Sequence, residues 1–328
     1  MNGETGMQTQ AALAGTQGLV MRPYAGETDL PEMVRIQNAE WEADSIVDRE
    51  TVADLRAWFG NPSEQFEPLR DVTIGEIDGR MVGHVKRDWV DTNDGLREFR
   101  TGGAVDPAFR RRGIGTALLR ESERRSAILA AALPTDRPLV VGCFTDDRNV
   151  GAKALAQGEG FEPARWFFEM HRTGVDRDLP EVPALPEGIE VRPVDESQYR
   201  AIWRADIEAF RDHWGGGDES DEAFRRYQDA PNFDPSLWVV AWEGDEVVAA
   251  SINTIYHEDN KALAIKRGWL DSIFTRRPWR KRGLASALIV RSLHVLADRG
   301  IGIAALGVDA DNPSGALRLY ESHGFSVV

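Results

Sequence analysis

The sequence has a single cysteine, Cys143, among its 328 residues, and it has no long apolar run. One cysteine excludes a disulfide within the chain and is typical of a reducing cytoplasm, where we expect this protein. Cys143 lies in the apolar run 139–144, which predicts a buried strand thiol rather than a nucleophile. No stretch of about 18 apolar residues is present to span a membrane. Residues 1–18 lack a basic region, so they predict a flexible tail and not a signal peptide.

Metal-binding and hydrolase motifs are missing as well. The six histidines are scattered, neither CxxC nor HxxxH occurs, and there is no GxSxG. We therefore expect no metal site and no serine-hydrolase chemistry. Basic side chains are outnumbered, with 39 Lys and Arg against 54 Asp and Glu, a net charge of −15. This balance disfavours nucleic acid and anionic membranes as partners. It is compatible with a cationic small substrate, and equally with an ordinary acidic soluble protein.

A basic, glycine-containing turn stands between a predicted strand and a predicted helix in the C-terminal half. The strand is 269–275, and the turn runs Arg280-Lys281-Arg282-Gly283-Leu284-Ala285. Apolar residues then recur at helical spacing from Ala285 to Leu296. A glycine turn at a helix N-terminus presents unpaired backbone N–H groups to an anion, so this is a candidate phosphate or pyrophosphate site. It is neither a Walker loop nor GxGxxG.

Together with a second stretch, this turn resembles the GCN5-related N-acetyltransferase (GNAT) family. The turn is similar to that family's R/Q-x-x-G-x-G/A loop, which grips the pyrophosphate of acetyl-coenzyme A. Downstream, Asn312, Tyr320 and Gly324-Phe325 resemble the C-terminal signature of the same family. The resemblance implies an α/β fold of the mixed, α+β-like kind, with a mostly antiparallel central sheet flanked by helices. It also implies acetyl-coenzyme A as the co-substrate.

The loop occurs twice, which predicts a duplicated chain. Gly113, in the upstream copy, precedes Gly283 by 170 residues, and Arg22-Pro23 precedes Arg192-Pro193 by the same number. A fixed, domain-sized period indicates two tandem units. We predict a tail at 1–18, a first domain at 19–175, a proline-rich extended linker at 176–188 and a second domain at 189–328. Such pairing is similar to the architecture of the mycothiol synthases.

The resemblance assigns coenzyme contacts residue by residue. The backbone N–H of Ile273 would polarise the thioester carbonyl, with Phe274 and Thr275 along the pantetheine arm. Asn312 would orient the coenzyme at the start of the last helix. The pyrophosphate loop and the first helical turn would be Arg280, Lys281, Arg282, Gly283, Leu284, Ala285 and Ser286. Their counterparts in the first half would be Arg110, Arg111, Arg112, Gly113, Ile114, Gly115 and Thr116.

Three residues of the second half are candidates for proton transfer. The resemblance makes Tyr320 the general acid, although a packing tyrosine at helical spacing is the alternative. Asp271 is the only acid on the strand 269–275, and strict alternation would put it on the face of Trp269 and Ile273. It is a candidate base, or simply a strand acid paired with an arginine. His213, beside Trp214 and three glycines, is a second candidate base, or a loop histidine with an aromatic anchor.

The two halves differ at the tyrosine position of the C-terminal signature and in the residues that follow its Gly-Phe pair. Four residues before the Gly-Phe pair, the second half has Tyr320 and the first has Ala156, which cannot donate a proton. The first half is therefore expected to be degenerate, a coenzyme binder at most. It continues into an aromatic-rich closing strand at 165–171, whereas only three residues follow Phe325 in the given sequence. Either further residues follow Val328 or another segment completes the second sheet; otherwise an unpaired edge results.

The function predicted is transfer of acetyl from acetyl-coenzyme A to a primary amine of a small molecule, by direct attack in a ternary complex. No placed nucleophile suggests an acyl-enzyme. The alternatives are acetylation of a protein N-terminus or lysine, and a non-catalytic acyl-coenzyme A sensor, since one half lacks its acid. The sequence is compatible with a monomer or a homodimer and selects neither.

Overall fold

The computed structural model describes residues 16–312 and 315–328, which form two compact units. Most of the predicted tail, residues 1–15, lies outside the described residues. The first unit contains the chain up to Val52, Glu64–Trp89 and Arg97–Phe161. The second contains Ala53–Ser63, Val90–Leu96 and Glu162–Val328. No helix within the described ranges is long and apolar enough to cross a membrane.

The elements of the first half of the chain form one mixed sheet with its helices. Its strands are β1 (Leu19–Pro23), β2 (Val72–Ile77), β3 (Arg80–Asp91), β4 (Arg97–Val105) and β5 (Leu139–Cys143). Its helices are α1 (Leu30–Ala43), α2 (Val52–Phe59), α3 (Pro68–Asp71), α4 (Ile114–Ala132) and α5 (Val150–Gly158). The sheet order is β1-β2-β3-β4-β5, antiparallel at β1–β2 and β2–β3 and parallel at β4–β5. The sheet is mixed, as expected, because a helical crossover joins β4 to β5.

The remaining elements form a second sheet. Its strands are β6 (Phe167–Thr173), β7 (Ile189–Val191), β8 (Val239–Glu243), β9 (Glu246–Thr254), β10 (Arg267–Thr275), β11 (Ile303–Asp309) and β12 (Ser326–Val327). Its helices are α6 (Tyr199–Phe210), α7 (Asp221–Asp229), α8 (His257–Leu263), α9 (Leu284–Asp298) and α10 (Ala316–Ser322). The order is β12-β6-β11-β10-β9-β8-β7, parallel only at β10–β11 among the registers described. The two sheets repeat one topology around the strand that carries the loop.

Strand β6, the predicted closing strand of the first domain, belongs to the second sheet. It runs antiparallel to β11 from the pair Ile303 and Thr173 to the pair Asp309 and Phe167, and on its other side it pairs with β12. Met170, at its centre, is completely buried in the second core. The structure thus places this strand outside the first unit, contrary to the predicted domain at 19–175. Another segment does complete the second sheet, and the edge of β11 is covered.

The core of the second unit lies on both faces of its sheet. Helix α9 has apolar residues at i, i+4 and i+7, and a buried serine at i+3, so one side of it packs on the sheet. Ile289, Leu293 and Leu296 join one cluster, and Leu288 joins another beside it. Helix α6 covers the opposite face with Ile202 and its neighbours one turn on. The end of β10, between these two helices, is where the candidate site lies.

Candidate active site

The two glycine loops have the same backbone conformation. In the second unit Lys281 and Gly283 are left-handed, with φ of 62° and 80°. In the first unit Arg111 and Gly113 are left-handed, with φ of 61° and 77°. Each glycine is the N-cap of the following helix, and neither helix has a capping side chain, so its first N–H groups lack a side-chain acceptor. The two left-handed residues of each loop turn successive backbone N–H groups toward one concave site at the positive end of the helix dipole. Such a site suits an anion.

The first arginine of each loop holds the loop in place. Arg280 donates to the carbonyl oxygens of Thr275 and Ala209, both at 3.0 Å, and pairs with Asp212 at 2.9 Å. Arg110 forms the matching pair with Asp44, with N–O distances of 2.6 and 2.8 Å. Both arginines therefore tie the loop to the end of the first helix. The other charged side chains of the loops are exposed: Lys281, Arg282, Arg111 and Arg112.

Strand β10 has an irregularity at Asp271. Leu270 pairs with Asn253 and Ser272 with Ile252, so Asp271 is the extra residue of a β-bulge. Leu270 and Ile273 pack in the cluster that includes α9 residues, whereas Phe274 packs in the cluster with α6. The prediction that Asp271 shares a face with Ile273 is wrong. The bulge adds one residue to β10, so the alternation of sides before the bulge does not continue past it. Bulges re-aim side chains next to active sites.

Asp271 lies where a base of the reaction would be needed. Its side chain is reachable by solvent, yet the surrounding protein deprives it of hydration, as at the bottom of a cleft. This loss of hydration raises the pKa of Asp271, and hydrogen bonds from Thr254 and Tyr256 offset part of the effect. The Tyr256 hydroxyl is 3.4 Å from Asp271 Oδ2. A carboxylate with a raised pKa accepts a proton more readily near neutral pH.

A second carboxyl, which the sequence analysis missed, lies in the same place. Asp206 on α6 accepts a hydrogen bond from Ser272 Oγ, the residue after the bulge. Burial raises the pKa of Asp206 to about 6, and the bond from Ser272 acts in the opposite direction. Burial also raises the pKa of Tyr227, and the charges of Asp206 and Asp271 add to that rise. The ring of Tyr227 stacks on Trp238 with centroids 5.9 Å apart. Two carboxyls thus lie beside β10, together with the stacked rings of Tyr227 and Trp238, which we call the aromatic wall.

Tyr320 is buried on α10, with Phe325 edge-on to its ring at 6.3 Å. Burial raises the pKa of Tyr320 to about 12, so the phenol stays protonated at neutral pH. Asn312 lies three residues before Gly315, the N-cap of this helix, and its role in orienting the coenzyme stays a prediction. In the first unit Asn149 does cap the last helix, accepting from the Ala152 N–H at 2.8 Å.

The other predicted contacts are placed as follows. Thr275 Oγ1 is buried and has no hydrogen-bond partner among the described groups. Ser286, in the first turn of α9, has its hydroxyl 2.8 Å from His323 Nε2. His213 packs on Phe210 at 4.5 Å, and burial lowers the pKa of its imidazole, with the charge of Arg280 acting the same way. The charged groups that act on His213 are Arg280 of the loop and the nearby Asp309 and Asp212, and none of them acts on Asp271. The role of His213 as a base stays a prediction.

The first unit retains the loop and lacks the other groups. Its strand pairs repeat those of the second unit, since Arg97 opposes Leu139 as Arg267 opposes Ile303. In this register Ala156 stands in place of Tyr320, Thr101 in place of Asp271 and, on the first helix, Gln37 in place of Asp206. A cavity of about 340 Å³ opens beside the loop, bounded on one side by Cys143. Burial raises the pKa of this half-buried thiol, so it stays protonated.

Comparison with known proteins agrees with this geometry. The model of the acetyltransferase (GNAT) family matches residues 30–161 and, again, residues 199–325. The chain therefore belongs to this family, with two copies of the domain in tandem, and is an acetyl-coenzyme A-dependent acyltransferase. The family, fold class and enzyme class predicted from the sequence are confirmed.

Relatives of similar length share this arrangement. The chain is 30% identical over 298 residues to a mycothiol acetyltransferase of Geodermatophilus obscurus, covering 90% of each chain. It is 28% identical over 319 residues to one of Streptomyces scabiei, covering 95% of this chain and 93% of the relative. A GCN5-related N-acetyltransferase structure from Sphaerobacter thermophilus matches with a TM-score of 0.67 at 27% identity, covering 94% and 92% of the two chains. A tandem GNAT protein from the clavulanic acid biosynthesis pathway shares the fold, with a TM-score of 0.63 at 17% identity and 94% and 95% coverage.

Proposed function

We propose that the second unit transfers acetyl from acetyl-coenzyme A to a primary amine of a small molecule, by direct attack in a ternary complex. The observation that carries this proposal is the joint presence of Asp271, Asp206 and Tyr320 in one unit that also has the loop. The other unit has the loop and none of these three groups. The name of the relatives, mycothiol acetyltransferase, supports a small-molecule acceptor.

In the proposed reaction, Asp271, the backbone of Ile273 and Tyr320 each have one role. Asp271 would take a proton from the ammonium form of the acceptor, and the neutral amine nitrogen then attacks the thioester carbonyl carbon. The nitrogen would lose its second proton as the tetrahedral intermediate collapses, and the departing thiolate is the group that finally accepts a proton. The backbone N–H of Ile273 would stabilise the negative oxygen that develops. As the carbon–sulfur bond breaks, the Tyr320 hydroxyl would donate to the departing thiolate. Because the pKa of Tyr320 is about 12 and that of a free thiol is about 8.5, this tyrosine donates a hydrogen bond more readily than a whole proton.

Asp206 and the aromatic wall would bind the acceptor. A carboxylate beside Asp271 favours a cationic ammonium group in the cleft, and the ring of Tyr227 adds apolar contact. The net charge of −15 would attract the same kind of substrate. The loop of the first unit, with the same backbone as its active counterpart, would bind a coenzyme A derivative without turnover.

Replacement of Tyr320 tests the assignment. Tyr320→Phe keeps the ring and removes the donor, so we expect kcat for acetyl transfer to fall by about 10²-fold or more. The KM for acetyl-coenzyme A should change little, since the loop is untouched. Tyr24→Phe is the matched control, because Tyr24 is a buried tyrosine of the first unit. An unchanged kcat in Tyr320→Phe would refute the role.

The acceptor class needs a separate assay. Release of free thiol from acetyl-coenzyme A should be measured with a panel of small primary amines, including the unacetylated precursor of mycothiol, and with peptides bearing free N-termini or lysines. Small amines should support turnover and peptides should not. Turnover with peptides alone would favour a protein acetyltransferase, and no turnover with either class would favour a coenzyme sensor.

A further inference from the structure

Four of the five residues that flank the predicted thioester position are smaller in the first unit than in the second. The register of β4 with β5 repeats that of β10 with β11, so the two units can be compared position by position. The second unit has Ser272, Ile273, Phe274, Thr275 and Tyr320. The corresponding residues of the first unit are Gly102, Gly103, Ala104, Val105 and Ala156. Two aromatic rings are therefore replaced by methyl groups.

These five residues of the first unit all line one cavity. Its volume is about 340 Å³, within the range of small-molecule sites, and it extends from the loop into the core of the unit. The walls away from the loop are mainly apolar, with Val85, Leu118, Leu119 and Leu155 among them. In the second unit Phe274 and Tyr320 are both buried side chains of the core. The space that these two rings occupy there is open here.

Several buried polar side chains line this cavity; Glu40, Thr101 and Asn149 have hydrogen-bond partners, whereas His84 has none of normal geometry. His84 is completely buried, and neither ring nitrogen has a hydrogen-bond partner of normal geometry, although the backbone of Met33 is near. Burial lowers the pKa of His84 to about 3, so the ring is neutral and has one donor and one acceptor nitrogen. A Cβ added to Gly103 would lie 2.1 Å from the His84 carbonyl oxygen, so the histidine lies beside the strand position that corresponds to Ile273. A buried polar group without a partner is unfavourable unless a ligand supplies one.

We propose that the first unit binds coenzyme A thioesters whose acyl chain is several carbons longer than acetyl. The chain would occupy the space left by Ala104 and Ala156, and His84 would meet a polar atom at the thioester end. This inference rests on the proposed function, because it assumes that the loop at Gly113 holds the coenzyme. The first unit is then a site of different acyl preference, and not a copy of the second that has lost its acid.

The test is calorimetric titration of the full chain carrying Gly283→Glu. At Gly283 nothing lies within 4 Å of an added Cβ, so the glutamate places a carboxylate at the anion site of the second unit without a steric clash. Its φ of 80° strains any side chain, so circular dichroism of the variant must first match that of the wild type. Acetyl-, butyryl- and hexanoyl-coenzyme A are the probes. Hexanoyl-coenzyme A should bind at least about tenfold more tightly than acetyl-coenzyme A, because each buried methylene adds to the affinity.

Variants of the cavity identify where the chain binds. Ala156→Tyr and Ala104→Phe should remove the preference for hexanoyl and retain acetyl-coenzyme A binding, which also shows that the unit is folded. Ala156→Leu, a smaller change, should reduce the preference if the tyrosine is not accommodated. Ala127→Tyr is the control, because Ala127 is exposed on α4 away from the cavity lining.

The possible failures are distinguishable. Equal affinity for the three thioesters would overturn the inference and leave the coenzyme site of the first unit standing. A preference that survives all three cavity variants would also overturn it. If no thioester binds in the Gly283→Glu background, and Gly113→Glu changes nothing, the proposed coenzyme site of the first unit itself is wrong.

Discussion

Asp206 and Asp271 make the candidate site more than a motif match. Both carboxyls have raised pKa values because the surrounding protein removes hydration, and each has a hydroxyl donor that offsets part of the rise. Asp206 has Ser272, and Asp271 has Tyr256 and Thr254. Carboxyls in such surroundings change protonation closer to neutral pH, which proton transfer from an amine requires.

The burial of Asp206 predicts a pH-dependent effect on stability. Its folded pKa of about 6 exceeds the ordinary value of 3.8, so ionisation disfavours the folded state as pH rises through this interval. Asp206→Asn removes that effect. Between pH 5 and 7.5 the free energy of unfolding of Asp206→Asn should rise relative to wild type by on the order of 1 kcal/mol. Urea denaturation at the two pH values is the measurement.

The control for this effect is Asp298→Asn, since Asp298 is exposed at the end of α9. That variant should follow the wild type at both pH values. If Asp206→Asn also shows no pH-dependent difference, the carboxyl is hydrated in solution and our account of the acceptor side loses its support.

Sequence could have found Asp206, but only by a different argument. Tyr320 was recognisable because a family signature fixes its spacing from Gly324. Asp206 belongs to no signature, and an acid on an amphipathic helix is usually solvated. It does lie with Ile202, Ala205 and Ala209 at i, i+3, i+4 and i+7, on the stripe that packs on the sheet. A charge on that stripe was the available signal.

At the scale of elements, local features were predictable and long-range pairings were not. The strand, loop and helix around Gly283 follow from residues close in sequence, since a positive φ, a helix N-terminus and apolar periodicity leave clear local signals. The bulge at Asp271 depends on how β10 pairs with β9, and the place of β6 depends on which sheet accepts it. The sequence of a strand does not determine which strand pairs with it. The bulge at Asp271 and the pairing of β6 with β11 were therefore not predicted.

The placement of β6 makes the second unit depend on a strand that the sequence analysis assigns to the first domain. Met170 is fully buried between β11 and β12, opposite Leu306 and Val327. Met170→Ala should destabilise the second unit by about 2–5 kcal/mol through the cavity it leaves. Thermal unfolding followed by calorimetry, with and without acetyl-coenzyme A, is the measurement.

Phe167→Ala is the matched control on the same strand. Phe167 is 47% exposed, so its removal should destabilise the second unit far less than removal of Met170. Equal effects of the two substitutions, or a loss confined to the first unit, would contradict the assignment of β6 to the second sheet.

At the scale of the whole molecule, the duplicated halves have diverged around a common loop. Both loops keep the left-handed glycine at the helix N-cap and the arginine tied to an aspartate after the first helix. The groups that we propose for proton transfer are in the second unit, and a cavity of about 340 Å³ lies beside the corresponding loop of the first. We therefore propose acetyl transfer for one half and binding of a different thioester for the other.

The central claim is that acetyl transfer takes place in the second unit alone. The most direct test compares the steady-state rate of acetyl transfer to a small amine by Gly113→Glu and Gly283→Glu, with coenzyme binding to each variant measured by calorimetry. We predict that Gly283→Glu abolishes transfer and that Gly113→Glu retains most of it, each variant losing one binding site. Transfer that survives Gly283→Glu and disappears in Gly113→Glu would contradict the account.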